Sequence, residues 1–84
     1  MTILSDQIRQ YVYAEIIEPE RRQGQGVVRV RAGDIHAALE LKDRMPAVCS
    51  ALDAEKFLEY AQVRLTQRDG PKQGSNAEWV FALR

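Results

Sequence analysis

From Leu4 onward an apolar residue returns at every fourth position, at Leu4, Ile8, Val12 and Ile16, with Tyr11 and Tyr13 to either side. That spacing keeps to one face of a 3.6-residue turn and predicts an amphipathic helix. Ser5 is its expected cap, and Asp6 lies in the first turn, where the helix dipole favours negative charge. Pro19 should end or kink this helix, because the residue before a proline is pushed out of helical geometry. The stretch EPERRQGQG around it is polar and glycine-containing and reads as a loop, alone or after one further helical turn. Alternation then replaces the fourfold spacing: VVRVR, Val27–Arg31, predicts a short strand.

The pattern changes again over AGDIHAALEL, Ala32–Leu41, which puts Ile35, Ala38 and Leu39 on one face of a short helix, with Leu41 dropping inward from the turn. Met45, Val48 and Leu52 mark the buried face of the next helix, with Asp43 as its expected cap. Pro46 falls in its first turn, where a missing N–H breaks no intrahelical bond. A further short helix is expected over Asp53–Ala61, with Phe57 and Leu58 turned inward. VRLTQR (Val63–Arg68) and AEWVFAL (Ala77–Leu83) alternate, placing Val63, Leu65, Trp79, Phe81 and Leu83 on an inner face and Arg64 and Arg68 outside. DGPKQGSN between them is turn chemistry throughout.

Composition narrows the class without naming a function. The chain has 84 residues, 45% hydrophobic and 29% charged, as expected of one soluble globular domain with a single core. No apolar run approaches the ~20 residues of a membrane span. MTILSDQIRQ lacks the pattern of a secretory signal, and the single cysteine, Cys49, fits a reducing compartment, so a cytoplasmic location is expected. One histidine and one cysteine cannot build a four-ligand zinc site. GPKQGS lacks the spacing of a phosphate loop and joins two strands instead of a strand and a helix. No enzyme, cofactor or metal is expected. Net charge is zero, but residues 21–44 hold six bases against three acids and residues 62–84 hold four against two. Positive charge is therefore gathered in two segments, and the local field matters more than the total.

These two segments carry a resemblance. VRVRAGDIHAALELKDRMPAVCSAL and the hairpin VRLTQRDGPKQGSNAEWVFAL together resemble the winged helix-turn-helix DNA-binding superfamily over about residues 27–83. The resemblance implies an α+β fold of three to four short helices with a small antiparallel sheet, a strand plus a C-terminal β-hairpin wing. It makes residues 1–84 a single domain, with an N-terminal helix over 1–18 and the winged unit over 27–83. One departure stands out: the interval from Leu41 to Val48 is long, and Glu40 stands where glycine is common. A wider turn between the two helices is expected.

By the same resemblance, the helix Arg44–Leu52 would enter the major groove and the tip Asp69–Asn76 would touch the flanking backbone or minor groove. Lys42 and Arg44 would then meet phosphates, Ala47 a thymine methyl, and Ser50 a base or phosphate. At the hairpin, Arg68, Lys72 and Gln73 are the candidate contacts, with Arg68 and Lys72 bearing little structural load. Arg29 and Arg31 share the outer sheet face with Arg64 and Arg68, either as an anion-binding surface or as a solvated one. The expected partner is double-stranded DNA, bound by a small transcriptional regulator of modest specificity. About five to seven phosphate contacts would give a salt slope of about −4 to −6. The competing class is a winged-helix protein-interaction or dimerisation module. A homodimer through the N-terminal helix is also expected, because Ile3, Tyr11, Tyr13 and Ile17 exceed what one stripe needs. The alternative is that this surplus covers the hairpin of its own chain.

Overall fold

A computed structural model describes residues 3–83; residues 1, 2 and 84 of the expected domain lie outside the described residues. The fourfold apolar repeat forms α1 (Leu4–Val12), which buries Ile8 and Val12. Its cap is Ile3 and no side chain bonds the first turn, so Ser5 does not serve as the cap. Nor does Pro19 end the helix. The chain passes through a π-helical turn (Tyr13–Ile17) straight into α2 (Glu18–Arg22), with Pro19 in its first turn. In the wide turn, the Glu18 N–H donates to the Tyr13 carbonyl five residues back. That register makes room for the proline ring and asks no N–H of it.

β1 (Val27–Arg31) leads into α3 (Ala32–Ala38), followed after a six-residue turn by α4 (Met45–Asp53) and α5 (Glu55–Ala61). The turn is wide, as the Leu41–Val48 interval suggested. Glu40 takes the left-handed conformation (φ 54°) that a glycine would adopt more cheaply, while the N–H groups of Glu40 and Leu41 bond back to the Ala37 and His36 carbonyls. Asp43 is also left-handed (φ 55°) and caps nothing; Arg44 is the N-cap of α4, and Pro46 is the second residue of that helix. The Arg44 N–H donates to Nε2 of His36, so this histidine closes the turn.

β2 (Arg64–Asp69) and β3 (Glu78–Ala82) complete an antiparallel sheet of order β1-β3-β2. On its inner face Val28 and Val30 lie opposite Phe81 and Trp79. These side chains meet Ile8, Val12, Ile35, Val48, Leu52 and Phe57 in one core. Most of the surplus apolar surface of the N-terminal helix is covered within the chain: Ile17 is buried, while Tyr11, Tyr13 and Ile16 are half-buried against the core. Tyr13 packs on Tyr60 of α5, with ring centroids 5.1 Å apart, and not on the hairpin. Ile3 stays 60% exposed. No helix among the described residues is long and apolar enough to cross a membrane.

Two arginines of the N-terminal helix finish helices elsewhere. The last carbonyls of a helix have no partner inside it. Arg9, only 9% exposed, donates from Nε to the Ala51 carbonyl near the end of α4 and from Nη1 to Asp6. Arg21 donates to the carbonyls of Ala61 and Gln62 at the end of α5. Arg9→Ala should therefore cost about 2 kcal/mol, the scale of a buried hydrogen bond to a charged group. Asp6→Ala, which removes only the half-exposed partner, should cost about 0.5 kcal/mol. Urea unfolding of the two variants checks the difference.

Candidate functional site

Strict alternation from Leu65 would turn Arg68 outward, but the strand does not alternate strictly. Leu65 lies opposite Phe81 and Gln67 opposite Val80, so two residues of β2 span one of β3 at Thr66. This β-bulge shifts every later side chain to the other face. Arg68 comes to lie opposite Trp79, on the inner side.

There its guanidinium makes five hydrogen bonds, as many as it has N–H groups. Nε and Nη2 donate to the two carboxylate oxygens of Asp53, at 2.9 and 3.2 Å. Nη1 donates to the carbonyls of Asp69 and Pro71, at 2.8 and 3.1 Å, and Nη2 to that of Lys72 at 3.0 Å. The cation lies 4.8 Å from the centre of the Trp79 ring, close enough for attraction to the aromatic face. Trp79, fully buried, donates its indole N–H to the same Asp53 oxygen at 2.7 Å. The expectation that Arg68 bears little structural load is corrected here: it holds the hairpin loop in shape and joins it to the last residue of α4.

Beyond Lys72 the loop is fastened to α4 and α3. The Cys49 thiol of α4 lies 3.8 Å from the Gly74 carbonyl, to which it donates, and the Gly33 N–H of α3 donates to the Ser75 carbonyl at 3.0 Å. A side chain at Gly33 would put its Cβ 3.1 Å from that carbonyl oxygen and 2.8 Å from the Arg31 guanidinium, so both would have to shift to admit one. Gly70 is left-handed (φ 83°), and a Cβ there would strike the Asn76 backbone.

Between the end of α4 and this loop lies an open cleft of about 290 Å³, lined by Ser50, Asp53, Ala54, Lys72 and Gln73. Three residues singled out from the sequence, Ser50, Lys72 and Gln73, are thus brought together. Asp53 was not anticipated, although it follows Ser50 by three residues and so shares its face of the helix. Pro46, Ser50 and Asp53 are the exposed stripe of α4, with Ala47 half-buried beside them. Lys42 and Arg44 are exposed at the other end of the helix.

Arg29 and Arg31 stand apart from the cleft, on the outer face of the sheet. Arg29, with a side chain 58% exposed, pairs with Glu78 at 2.9 Å. Arg31 pairs with Asp34 at 2.9 Å and donates to Asn76 at 3.3 Å. The outer face therefore holds Arg29, Arg31 and Arg64 but not Arg68, and two of those three already have anionic partners. Comparison with protein-family models, with curated proteins and with solved structures gives no match.

Burial of Cys49 pushes its thiol up, in spite of the Gly74 hydrogen bond and the charge of Arg68. Asp53 behaves oppositely. Burial alone would raise its carboxyl, but the hydrogen bonds from Arg68 and Trp79 and the charges of Arg68 and Lys72 outweigh that and hold it below its ordinary value. A depressed carboxylate stabilises the folded state above its unfolded pKa of ~3.9 and loses that contribution as pH falls through the lower folded value. Acidification below about pH 4 should accordingly loosen the cluster, read as a change in the fluorescence of Trp79, the only tryptophan. Asp53→Asn should abolish that step. With the Asp53 side chain 36% exposed, the variant should also lose about 1 kcal/mol at neutral pH in urea unfolding.

Proposed function

We propose that the protein binds double-stranded DNA as a winged helix-turn-helix domain, with α4 as the helix offered to the major groove and the loop between β2 and β3 as the wing. The observation that carries this reading is the cleft in which Ser50 of α4 meets Lys72 and Gln73 of the loop. Helix and wing present a hydroxyl, an ammonium and an amide to one place, all able to donate to a phosphate oxygen. The carboxylate of Asp53 is already occupied by Arg68 and Trp79, which lessens its repulsion of an anion. The order of elements and the β1-β3-β2 sheet are compatible with a winged helix.

Dimensions support the same reading. The nine residues of α4 span ~13 Å, and a helix of ~10–12 Å diameter fits the ~12 Å width of a major groove. Lys42 and Arg44 sit at one end of that length and Lys72 at the other. The small outer stripe of Pro46 and Ser50 lets the helix approach closely while offering few groups that read bases, which favours modest specificity.

The electrostatic footprint is narrower than the sequence suggested. Arg9, Arg21, Arg29, Arg31 and Arg68 each have an ion-pair partner within the chain. That internal pairing is also what favours the second reading, a protein-interaction module of the same architecture. Arg22, Lys42, Arg44, Lys56, Arg64 and Lys72 form no ion pair among the described residues, and of these Lys42, Arg44 and Lys72 belong to the surface formed by α4 and the loop. Three phosphate contacts give a slope of log K against log salt of about −3, instead of −4 to −6. Affinity for a random duplex should fall about fortyfold between ~50 and ~200 mM salt. Lys72→Ala should reduce the slope by about one. Fluorescence anisotropy at several salt concentrations measures both; no binding at low salt gives the protein-interaction reading instead. Pairing of two copies through the N-terminal helix belongs to the same proposal, and sedimentation equilibrium tests it.

A further inference from the structure

Arg68 is the residue most easily mistaken for a DNA contact. It is basic and stands at the base of the wing, in a segment rich in positive charge. Its side chain is nevertheless only 22% exposed, and it makes as many hydrogen bonds as it has N–H groups. Taking up a phosphate would mean releasing Asp53 or a loop carbonyl. Three of those bonds go to successive parts of the loop, the carbonyls of Asp69, Pro71 and Lys72, and two go to Asp53 on α4. The same group thus shapes the wing tip and sets where it lies relative to the helix.

Resting on the DNA-binding reading above, we propose that Arg68 is a positioning residue: it touches no DNA, and it places Lys72 and Gln73 beside Ser50 so that helix and wing engage one duplex together. The grip depends on the planar fork of a guanidinium. A lysine at this position keeps the charge but has three donors on one nitrogen and cannot span the carboxylate and three carbonyls together. Charge and positioning can therefore be separated by one conservative change.

The experiment compares the full-length parent with Arg68→Lys, Lys72→Ala and the double variant, after circular dichroism has confirmed that each is folded. Affinity for a random duplex is measured for all four; the rate at which trypsin cuts after Lys72, which reports opening of the loop without any DNA, is compared between the parent and Arg68→Lys, which both keep that lysine. Arg68→Lys should raise the cutting rate at least tenfold and weaken DNA binding three- to tenfold. In the double variant the two losses should not add, because Arg68 acts through Lys72. Asp53→Asn loosens the same grip from the other end and takes the place of Arg68→Lys if that variant does not fold. Binding by Arg68→Lys equal to that of the parent would show that DNA binding does not need the grip, and losses that add fully in the double variant would show that Arg68 does not act through Lys72; either overturns the proposal. An unchanged cutting rate overturns it as well. A parent that does not bind DNA at all removes the DNA reading, while the cutting rate still tests the grip.

Discussion

The arrangement of the hairpin depends on one partly buried constraint, the carboxylate of Asp53 shared between the guanidinium of Arg68 and the indole of Trp79. Each of these groups would be costly to bury alone, because a desolvated charge or N–H without a partner loses its hydration and gains nothing. Together they are satisfied, and among the described residues no buried side-chain nitrogen or oxygen lacks a hydrogen-bond partner. The cluster draws on three elements: the last residue of α4, β2 at its bulge, and the central strand β3. Its spare donors then reach the loop carbonyls. From that follow the shape of the loop, the position of Lys72 and the existence of a cleft beside Ser50.

The other arginines obey a related logic. A domain of this size buries a limited core, and the ends of its short helices must find partners outside themselves. Neither α4 nor α5 has a glycine at its C-terminus; α4 stops at a bend at Ala54 and α5 at a left-handed Gln62. Carbonyls near their ends are met by Arg9 and Arg21, reaching from the N-terminal part of the chain. A guanidinium suits this task because its long stem packs on apolar surface while its fork meets oxygen atoms in a fixed geometry. Much of the positive charge in the sequence is thus engaged in holding short elements together, while Lys42, Arg44 and Lys72, near the two ends of α4, are among the bases that form no ion pair.

Local patterns were legible from the residues alone. The strand over Val27–Arg31 has the expected bounds, and Ile35, Val48, Leu52, Phe57, Trp79 and Phe81 all lie in the core where spacing put them. Periodicity succeeds at such positions because burial repays an apolar side chain whatever its neighbours are. The wide turn after α3 was also visible in the distance from Leu41 to Val48. Ser50, Lys72 and Gln73 were legible as residue types in basic or turn-like segments, though nothing in the pattern said that they share a cleft.

Tertiary structure alone decided the rest, and the reason lies in which residues lack a local preference. Thr66, Gln67 and Arg68 carry no apolar side chain to pin the register, so the bulge that turns Arg68 inward is set by what waits there, Asp53 and Trp79. Pro19 would end an isolated helix, yet Ile17 on one side of it is fully buried and Arg21 on the other is bonded to the end of α5, and a π turn lets the chain keep both. The carbonyls that Arg9 and Arg21 reach, those of Ala51 and Ala61, lie about 40 residues away in the chain. Sequence by itself determined which positions are buried and where the charge is gathered. The fold determined which of those charges are engaged, because a charged group is committed by the nearest oxygen in space, whether that oxygen is one turn away, as Asp34 is for Arg31, or far along the chain, as Glu78 is for Arg29.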